Sequence, residues 1–322
     1  MIQSVTDTAS ASRLVEKAFP QRRIAGVQQL SGGLINTNLK VTFSTGEAPV
    51  VLRLHQKGPA TCLKETNVLR LVGRTVPVPD VLYVEPNGID NSGAFSILQF
   101  MEGLTFQQLK RTRNLTAIHQ ASASVGKTLA AIGAYKFAKP GSLTGTLTND
   151  IEVGPPYTYT SDPIPEILDT FLNLADAQRR LGAFAQRLHD FVWAWAPSLP
   201  DITNVSDLVH SDFGNRNILV NEVAGHWRVA AVLDWEFAFS GSPLLDVGNF
   251  LRYELGSDPL REPYFSQSFV ANGGSLPDNW RQIIRVMDLT ALVECLTHNY
   301  LPDDVVAEIL GLIHSTVEEC QI

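Results

Sequence analysis

A polar segment enclosed by two apolar runs is the feature that most restricts how this chain folds. Residues 208–220 read Leu-Val-His-Ser-Asp-Phe-Gly-Asn-Arg-Asn-Ile-Leu-Val, which sets His210, Asp212 and Asn217 between two short predicted strands. A further apolar run ends at Asp234. The order predicts short strands that bring these polar side chains into one cleft.

The residue types in this cleft suit phosphoryl transfer, which needs a held nucleophile and cations near the phosphate oxygens. Asp212 can accept the proton of a substrate hydroxyl. Asn217 and Asp234 can offer a neutral and an anionic oxygen to Mg²⁺, which prefers a few hard oxygens plus substrate phosphates. Three roles stay open for Glu236: a third metal ligand, a substrate contact, which we take as the prediction, or a rim carboxylate. We expect His210 to order the loop by hydrogen bonding.

The two halves of the chain differ in hydrophobic pattern. Up to residue 102, short apolar runs separated by turn-forming residues predict strands at 24–30, 35–43, 49–54, 80–85 and 94–101, and helical spacing appears at 7–18 and 63–72. Beyond residue 102, helical spacing dominates, at 114–134, 164–175, 178–195, 243–253, 279–298 and 303–319. The intervening stretch 140–165 is rich in Gly, Pro and Thr and predicts a long loop.

We therefore predict an α+β, two-lobed fold. Residues 1–102 would form a small antiparallel β-rich lobe that binds nucleotide. Residues 103–322 would form a larger, mainly helical lobe that holds the catalytic loop and the acceptor site.

The first lobe carries candidates for nucleotide binding. The segment Ser31-Gly32-Gly33 is a small turn between two predicted strands, and its backbone N–H groups could approach phosphates closely. Arg53 is a cation in an otherwise apolar strand, and Glu65 in the next helix is a candidate partner. The backbone from Gln99 to Met101 could pair with an adenine edge.

Charge and composition narrow the class of protein. The net charge of −8 argues against nucleic-acid binding through phosphate contacts. Residues 1–200 hold 19 Lys/Arg and 15 Asp/Glu, whereas residues 201–322 hold 6 and 18. The acidic part is either a solvated face or one side of a cleft that favours a cationic substrate.

Targeting signals are not evident in the sequence. The N-terminus has no basic region followed by an apolar core, and no run of 18 apolar residues occurs. Three widely spaced cysteines suggest inert thiols. We expect a cytoplasmic protein with no membrane partner.

The chain resembles the aminoglycoside phosphotransferase and choline kinase group, which shares the fold of protein kinases. The resemblance extends from about residue 24 to about residue 300, and its most specific parts are His210-x-Asp212-x4-Asn217 and Asp234-Trp235-Glu236. Its softer parts are the 31–33 turn, the strand ending in Leu52-Arg53-Leu54, Glu65 and the connector at 99–103.

The resemblance implies a bilobal kinase-like fold and transfer of the γ-phosphoryl group of ATP or GTP to a hydroxyl of a small molecule. It implies Asp212 as the catalytic residue, Asn217 and Asp234 as Mg²⁺ ligands, and Arg53 with Glu65 at the nucleotide phosphates. The acidic second part favours a cationic acceptor. The acceptor's identity, the choice between ATP and GTP, and the oligomeric state stay open.

Three residues depart from the family pattern. Arg53 stands where many relatives have Lys, which motivates an alternative function as a nucleotide-binding pseudokinase or sensor. Ser211 replaces the usual Gly, a change that matters if the backbone there has a positive φ. Gly214 stands where protein kinases have Lys, which disfavours a protein kinase.

Asp246, in the first turn of a predicted helix, is interpreted as structural.

Overall fold

The computed structural model describes residues 8–30, 36–89, 92–254 and 260–320. The turn Ser31-Gly32-Gly33, predicted to approach the nucleotide phosphates, lies outside the described residues. Within the described segments, no helix combines the length and apolar character that crossing a membrane requires.

The N-terminal part is an antiparallel sheet with strand order β1-β2-β3-β5-β4. Its strands are β1 (Ile24–Gln29), β2 (Thr37–Phe43), β3 (Val50–Leu54), β4 (Val81–Glu85) and β5 (Phe95–Gln99). Alternate residues of β2, Leu39, Val41 and Phe43, are buried, as expected for a strand with one covered face. They pack with buried residues of helix α1 (Thr8–Ala18). Helix α2 (Pro59–Val72) follows β3 and carries Glu65.

The remainder of the chain is mainly helical. Its helices are α3 (Phe106–Arg111), α4 (Leu115–Gly133), α5 (Thr158–Ser161), α6 (Ile164–Leu172), α7 (Ala175–Leu181), α8 (Phe184–Trp195), α9 (Leu244–Leu251), α10 (Glu262–Ala271), α11 (Trp280–Leu296) and α12 (Asp303–Glu319). Gly126 lets α4 and α10 pack closely, because a Cβ added there would lie 2.2 Å from the carbonyl oxygen of Phe265. The division into lobes at residue 102 stays a prediction.

Two small sheets support the polar loops. One has the order β11-β10-β6 and is formed by β6 (Leu104–Thr105), β10 (Ile218–Val223) and β11 (His226–Val232). The other has the order β8-β7-β12-β9 and is formed by β7 (Gly141–Gly145), β8 (Ile151–Val153), β9 (Asp207–Val209) and β12 (Phe239–Gly241). The loop 210–217 joins β9 to β10, and the loop 233–238 joins β11 to β12. Because β9 pairs with β12, the start of the first loop lies beside the end of the second. Because β10 pairs with β11, the end of the first loop lies beside the start of the second.

The predicted loop at 140–165 is wrong, because β7, β8 and α5 lie within it. Tertiary contact with α2 stabilises this hairpin: Asn67 Nδ2 donates to the carbonyl oxygens of Thr146 and Asp150, at 2.8 and 3.0 Å. The predicted helix 178–195 is also interrupted at Gly182, whose φ of 54° lies in the left-handed region and separates α7 from α8.

Candidate active site

The loop between β9 and β10 holds Asp212 and Asn217 in direct contact. Asn217 Nδ2 donates to Asp212 Oδ2 at 2.8 Å and to the Asp212 carbonyl oxygen at 3.0 Å. The amide nitrogen therefore fixes the Asp212 carboxylate, and the Asn217 Oδ1 is left as the atom of this side chain that can bind a cation.

The environment of Asp212 suits a proton acceptor. The pKa of Asp212 is raised to about 6, first by burial and then by the negative charge of Asp234, whereas the hydrogen bond from Asn217 opposes the shift. A carboxylate with such a pKa is ionised at neutral pH, yet more basic than an exposed aspartate.

His210 connects the two polar loops. Its side chain is fully buried, its Nε2 lies 2.9 Å from the carbonyl oxygen of Leu233, and the backbone N–H of Asp212 donates to its Nδ1 at 3.2 Å. A carbonyl oxygen only accepts, so Nε2 carries the proton and Nδ1 does not. Burial lowers the pKa of His210 to about 4, which agrees with this neutral form. As expected from the sequence, His210 orders the loop.

Asp246 anchors the same loop from α9. Its Oδ2 accepts from the His210 N–H at 2.7 Å and its Oδ1 from the Ser211 N–H at 2.8 Å. Ser211 has a φ of 74°, so the position does require the left-handed conformation that the family's usual Gly adopts freely. Asp246 lies in the first turn of α9 as predicted, but its carboxylate holds the polar loop as well.

Arg53 joins the N-terminal sheet to the loop 233–238. Its Nε donates to Glu65 Oε2 at 2.8 Å and one terminal nitrogen to Asn38 Oδ1 at 3.2 Å, while the other terminal nitrogen pairs with Asp234. Glu65 also accepts the N–H of Trp235 at 3.3 Å. The expected Arg53–Glu65 pair is present, and the pairing with Asp234 was not anticipated.

Glu236 faces the start of α2. The residue is 4% exposed, and its Oε2 lies 3.5 Å from Lys57 Nζ. Lys57 also lies over the Phe237 ring, 4.0 Å from its centroid, and Lys64 Nζ donates to the carbonyl oxygen of Ala238 at 3.4 Å. Lysines thus hold this loop from the N-terminal side. A substrate role for Glu236 stays a prediction.

The connector after β5 adjoins an open cavity of about 500 Å³. Gln99 and Met101 lie on its wall together with residues of β10 and β11. The Gln99 N–H donates to the carbonyl oxygen of Asp80 at 2.9 Å, which ties the end of β5 to the residue before β4. Binding of nucleotide by Gln99 and Met101 stays a prediction.

Arg261 is a support of the polar loop that sequence reasoning missed. The residue is fully buried, and its Nη1 donates to Asn215 Oδ1 and to the Phe250 carbonyl oxygen, both at 2.8 Å. Its Nε donates to Glu254 Oε1 at 2.7 Å. From the other side, the Gln107 N–H donates to the Asn215 carbonyl oxygen at 3.0 Å. No local pattern predicts the contact of Arg261 with the polar loop, because Asn215 lies 46 residues away in sequence.

Comparison with known proteins decides the family. The family model described as "Phosphotransferase enzyme family" matches residues 26–283. The chain belongs to this family. The protein is 26% identical over 282 residues to hygromycin-B 4-O-kinase of Escherichia coli, an alignment that covers 84% of this chain and 74% of that protein.

Solved structures show the same fold. The crystal structure of the aminoglycoside phosphotransferase APH(4)-Ia has a TM-score of 0.71 and 22% identity, and the match covers 98% of this chain and 100% of that one. A thermostable mutant of APH(4)-Ia, in ternary complex with ADP and hygromycin B, has a TM-score of 0.67 and 25% identity over 96% of this chain and 98% of that one.

The predicted resemblance and the bilobal, protein-kinase-like α+β fold are therefore confirmed. So is the predicted function: the phosphotransferase is a small-molecule kinase with a nucleotide donor and an alcohol group as acceptor.

Proposed function

We propose that this phosphotransferase transfers the γ-phosphoryl group of ATP or GTP, with Mg²⁺, to a hydroxyl of a small cationic acceptor of the aminoglycoside type. The observation that carries the proposal is the contact between Asn217 Nδ2 and Asp212 Oδ2, which fixes one carboxylate beside a second at Asp234.

Asp212 is the proposed base. Its carboxylate is held by Asn217, its backbone N–H is held by His210, and its raised pKa lets it accept the proton of the acceptor hydroxyl. As the oxygen of that hydroxyl bonds to the γ-phosphorus, the bond between the γ-phosphorus and the bridging oxygen of the β-phosphate breaks, and the nucleoside diphosphate leaves.

Asn217 and Asp234 fit a Mg²⁺ site. The Asn217 amide nitrogen is engaged by Asp212, so the oxygen is the free atom, and Asp234 supplies an anionic oxygen. A bound Mg²⁺ would offset charge on the phosphate oxygens. Arg53 is assigned to those phosphates because it pairs with Asp234, one of the proposed Mg²⁺ ligands, and with Glu65.

Several observations support a cationic acceptor. Residues 201–322, which supply Asp212 and Asp234, hold 18 Asp/Glu against 6 Lys/Arg. Hygromycin-B 4-O-kinase, one of the relatives in sequence, is named for hygromycin B, and a solved structure of similar fold is an aminoglycoside phosphotransferase in complex with that compound.

The three cysteines are free thiols, which fits the reducing cytoplasm that we propose as the location of the protein.

The test is label transfer from γ-labelled ATP or GTP, with and without Mg²⁺, to hygromycin B, kanamycin, choline, homoserine and simple sugars. Asp212→Asn should lower turnover by about a hundred- to ten-thousand-fold and keep nucleotide binding. Asp304→Asn, at an exposed aspartate in the first turn of α12, is the matched control and should retain full activity. Full activity of Asp212→Asn would contradict the assignment.

The pseudokinase alternative has one observation in its favour. All three nitrogens of the Arg53 guanidinium are engaged by protein groups. Tight nucleotide binding without transfer to any acceptor or to water would favour this alternative.

A further inference from the structure

Helix α9 presents one polar face to the catalytic loop. Asp246 and Asn249 are three residues apart and are neighbours on the surface of α9, and Arg252 directly follows the helix. Asp246 binds the loop backbone, and Arg252 makes a bidentate pair with Asp288 at 2.7 and 2.8 Å. Asn249 is half-buried between them, and its amide makes no hydrogen bond to any residue of the described segments.

The Asn249 amide borders a niche the size of one atom at Gly214, the place that a Cβ would occupy. A Cβ built at Gly214 would lie 3.2 Å from Asn249 Oδ1 and 3.9 Å from Asp212 Oδ1, and among the described, non-adjacent residues no other heavy atom comes within 4 Å. The two oxygens are therefore at most about 7 Å apart.

Gly214 itself does not have a positive φ, so its backbone would accept a side chain. The missing side chain, rather than the backbone conformation, keeps the niche open. The same glycine was noted in the sequence only because it replaces the Lys of protein kinases.

We propose that Asn249 positions the acceptor by accepting a hydrogen bond from a second donor next to the reacting hydroxyl. The inference rests on the proposed function, because the reacting hydroxyl is the one whose proton Asp212 accepts. Two acceptor oxygens that face one gap suit a ligand with two donors and repel an anionic phosphate oxygen. Vicinal donors about 3 Å apart, each with a hydrogen bond of about 2.8 Å, span such a gap. The acceptor class is therefore a vicinal diol or a vicinal amino alcohol.

The test compares three matched probes: cyclohexanol, trans-cyclohexane-1,2-diol and trans-2-aminocyclohexanol. The wild-type protein should prefer the two donor pairs over cyclohexanol in kcat/KM by about tenfold, the scale of one hydrogen bond. Asn249→Leu should abolish this preference and change the KM for nucleotide by less than about twofold. Asn249→Asp should raise kcat/KM for the amino alcohol relative to kcat/KM for the diol, because the variant adds a negative charge that attracts the ammonium group.

Two further variants make the test specific. Gly214→Ala fills the niche and should also abolish the preference. Asn173→Leu, at an exposed asparagine after α6, is the matched control and should leave the preference unchanged.

Three results would overturn the inference. The first is an unchanged preference for the two donor pairs in Asn249→Leu. The second is a higher KM for nucleotide in Asn249→Leu while that preference persists. The third is hydrolysis of nucleotide by the wild type without phosphorylation of any of the three probes. Absence of hydrolysis and of transfer in the wild type, both with these probes and with the acceptors of the label-transfer test above, would instead refute the proposed function.

Discussion

Arg53→Met is the change whose effect the structure specifies most fully. Arg53 is 5% exposed and donates to Glu65, Asn38 and Asp234. The variant leaves the carboxylate of Glu65, 1% exposed, without its counter-ion. Removal of one partner of a buried ion pair costs about 3–5 kcal/mol, because the remaining charge stays desolvated.

This loss should depend on pH. Burial raises the pKa of Glu65 to about 7, while the charge of Arg53 lowers it, so removal of Arg53 raises the pKa above that value. A raised pKa means that the folded state binds the proton more tightly than the unfolded state. The wild-type protein therefore loses stability from Glu65 as pH rises from about 4.3 to about 7. Above pH 7, the free energy of unfolding of Arg53→Met continues to fall by about 1.4 kcal/mol per pH unit, until the pH reaches the higher pKa that Glu65 has in this variant.

The assay is urea unfolding at pH 6 and pH 8.5. The deficit of Arg53→Met in free energy of unfolding should be about 3–5 kcal/mol at pH 8.5 and smaller at pH 6. Adding Glu65→Gln should remove the pH dependence of the deficit, and Arg74→Met, at an exposed arginine, should change neither value. Equal deficits of Arg53→Met at both pH values would refute the reasoning.

Further predictions concern the catalytic loop. Below pH 6, kcat/KM should fall tenfold per pH unit, because Asp212, whose pKa burial raises to about 6, must be ionised to act as base; a flat profile to pH 5 would contradict this. Arg261→Met should lower kcat about tenfold with little change in the KM for nucleotide. Arg261→Lys should lower kcat by less, and Asn215→Ala should lower kcat as much as Arg261→Met does. Additive decreases in kcat in the Arg261→Met/Asn215→Ala double variant would contradict the coupling of the two residues. Ser211→Gly should raise the free energy of unfolding by up to about 1 kcal/mol, because glycine adopts a positive φ without strain and the N–H of residue 211 still donates to Asp246. A lower free energy of unfolding in urea would contradict this.

Local patterns predicted most secondary structure well. The strands of the N-terminal sheet and helices such as α11 and α12 follow from apolar periodicity, which depends on a few neighbouring residues. The hairpin β7–β8 was missed for the opposite reason. Its residues favour turns locally, and it is stabilised by Asn67 of α2, more than 70 residues away in sequence.

The candidate site divides in the same way. The proposed roles of Asp212, Asn217 and Asp234 follow from local sequence, because short strands at close spacing place these residues in the two polar loops. The groups that hold and border these residues are visible only in the folded chain. Asp246 and Arg261 bind the loop through hydrogen bonds that span 35 to 46 residues, and Asn249 lies beside Gly214, 35 residues earlier. Burial and hydrogen bonding at such separations have no periodic signature in the sequence.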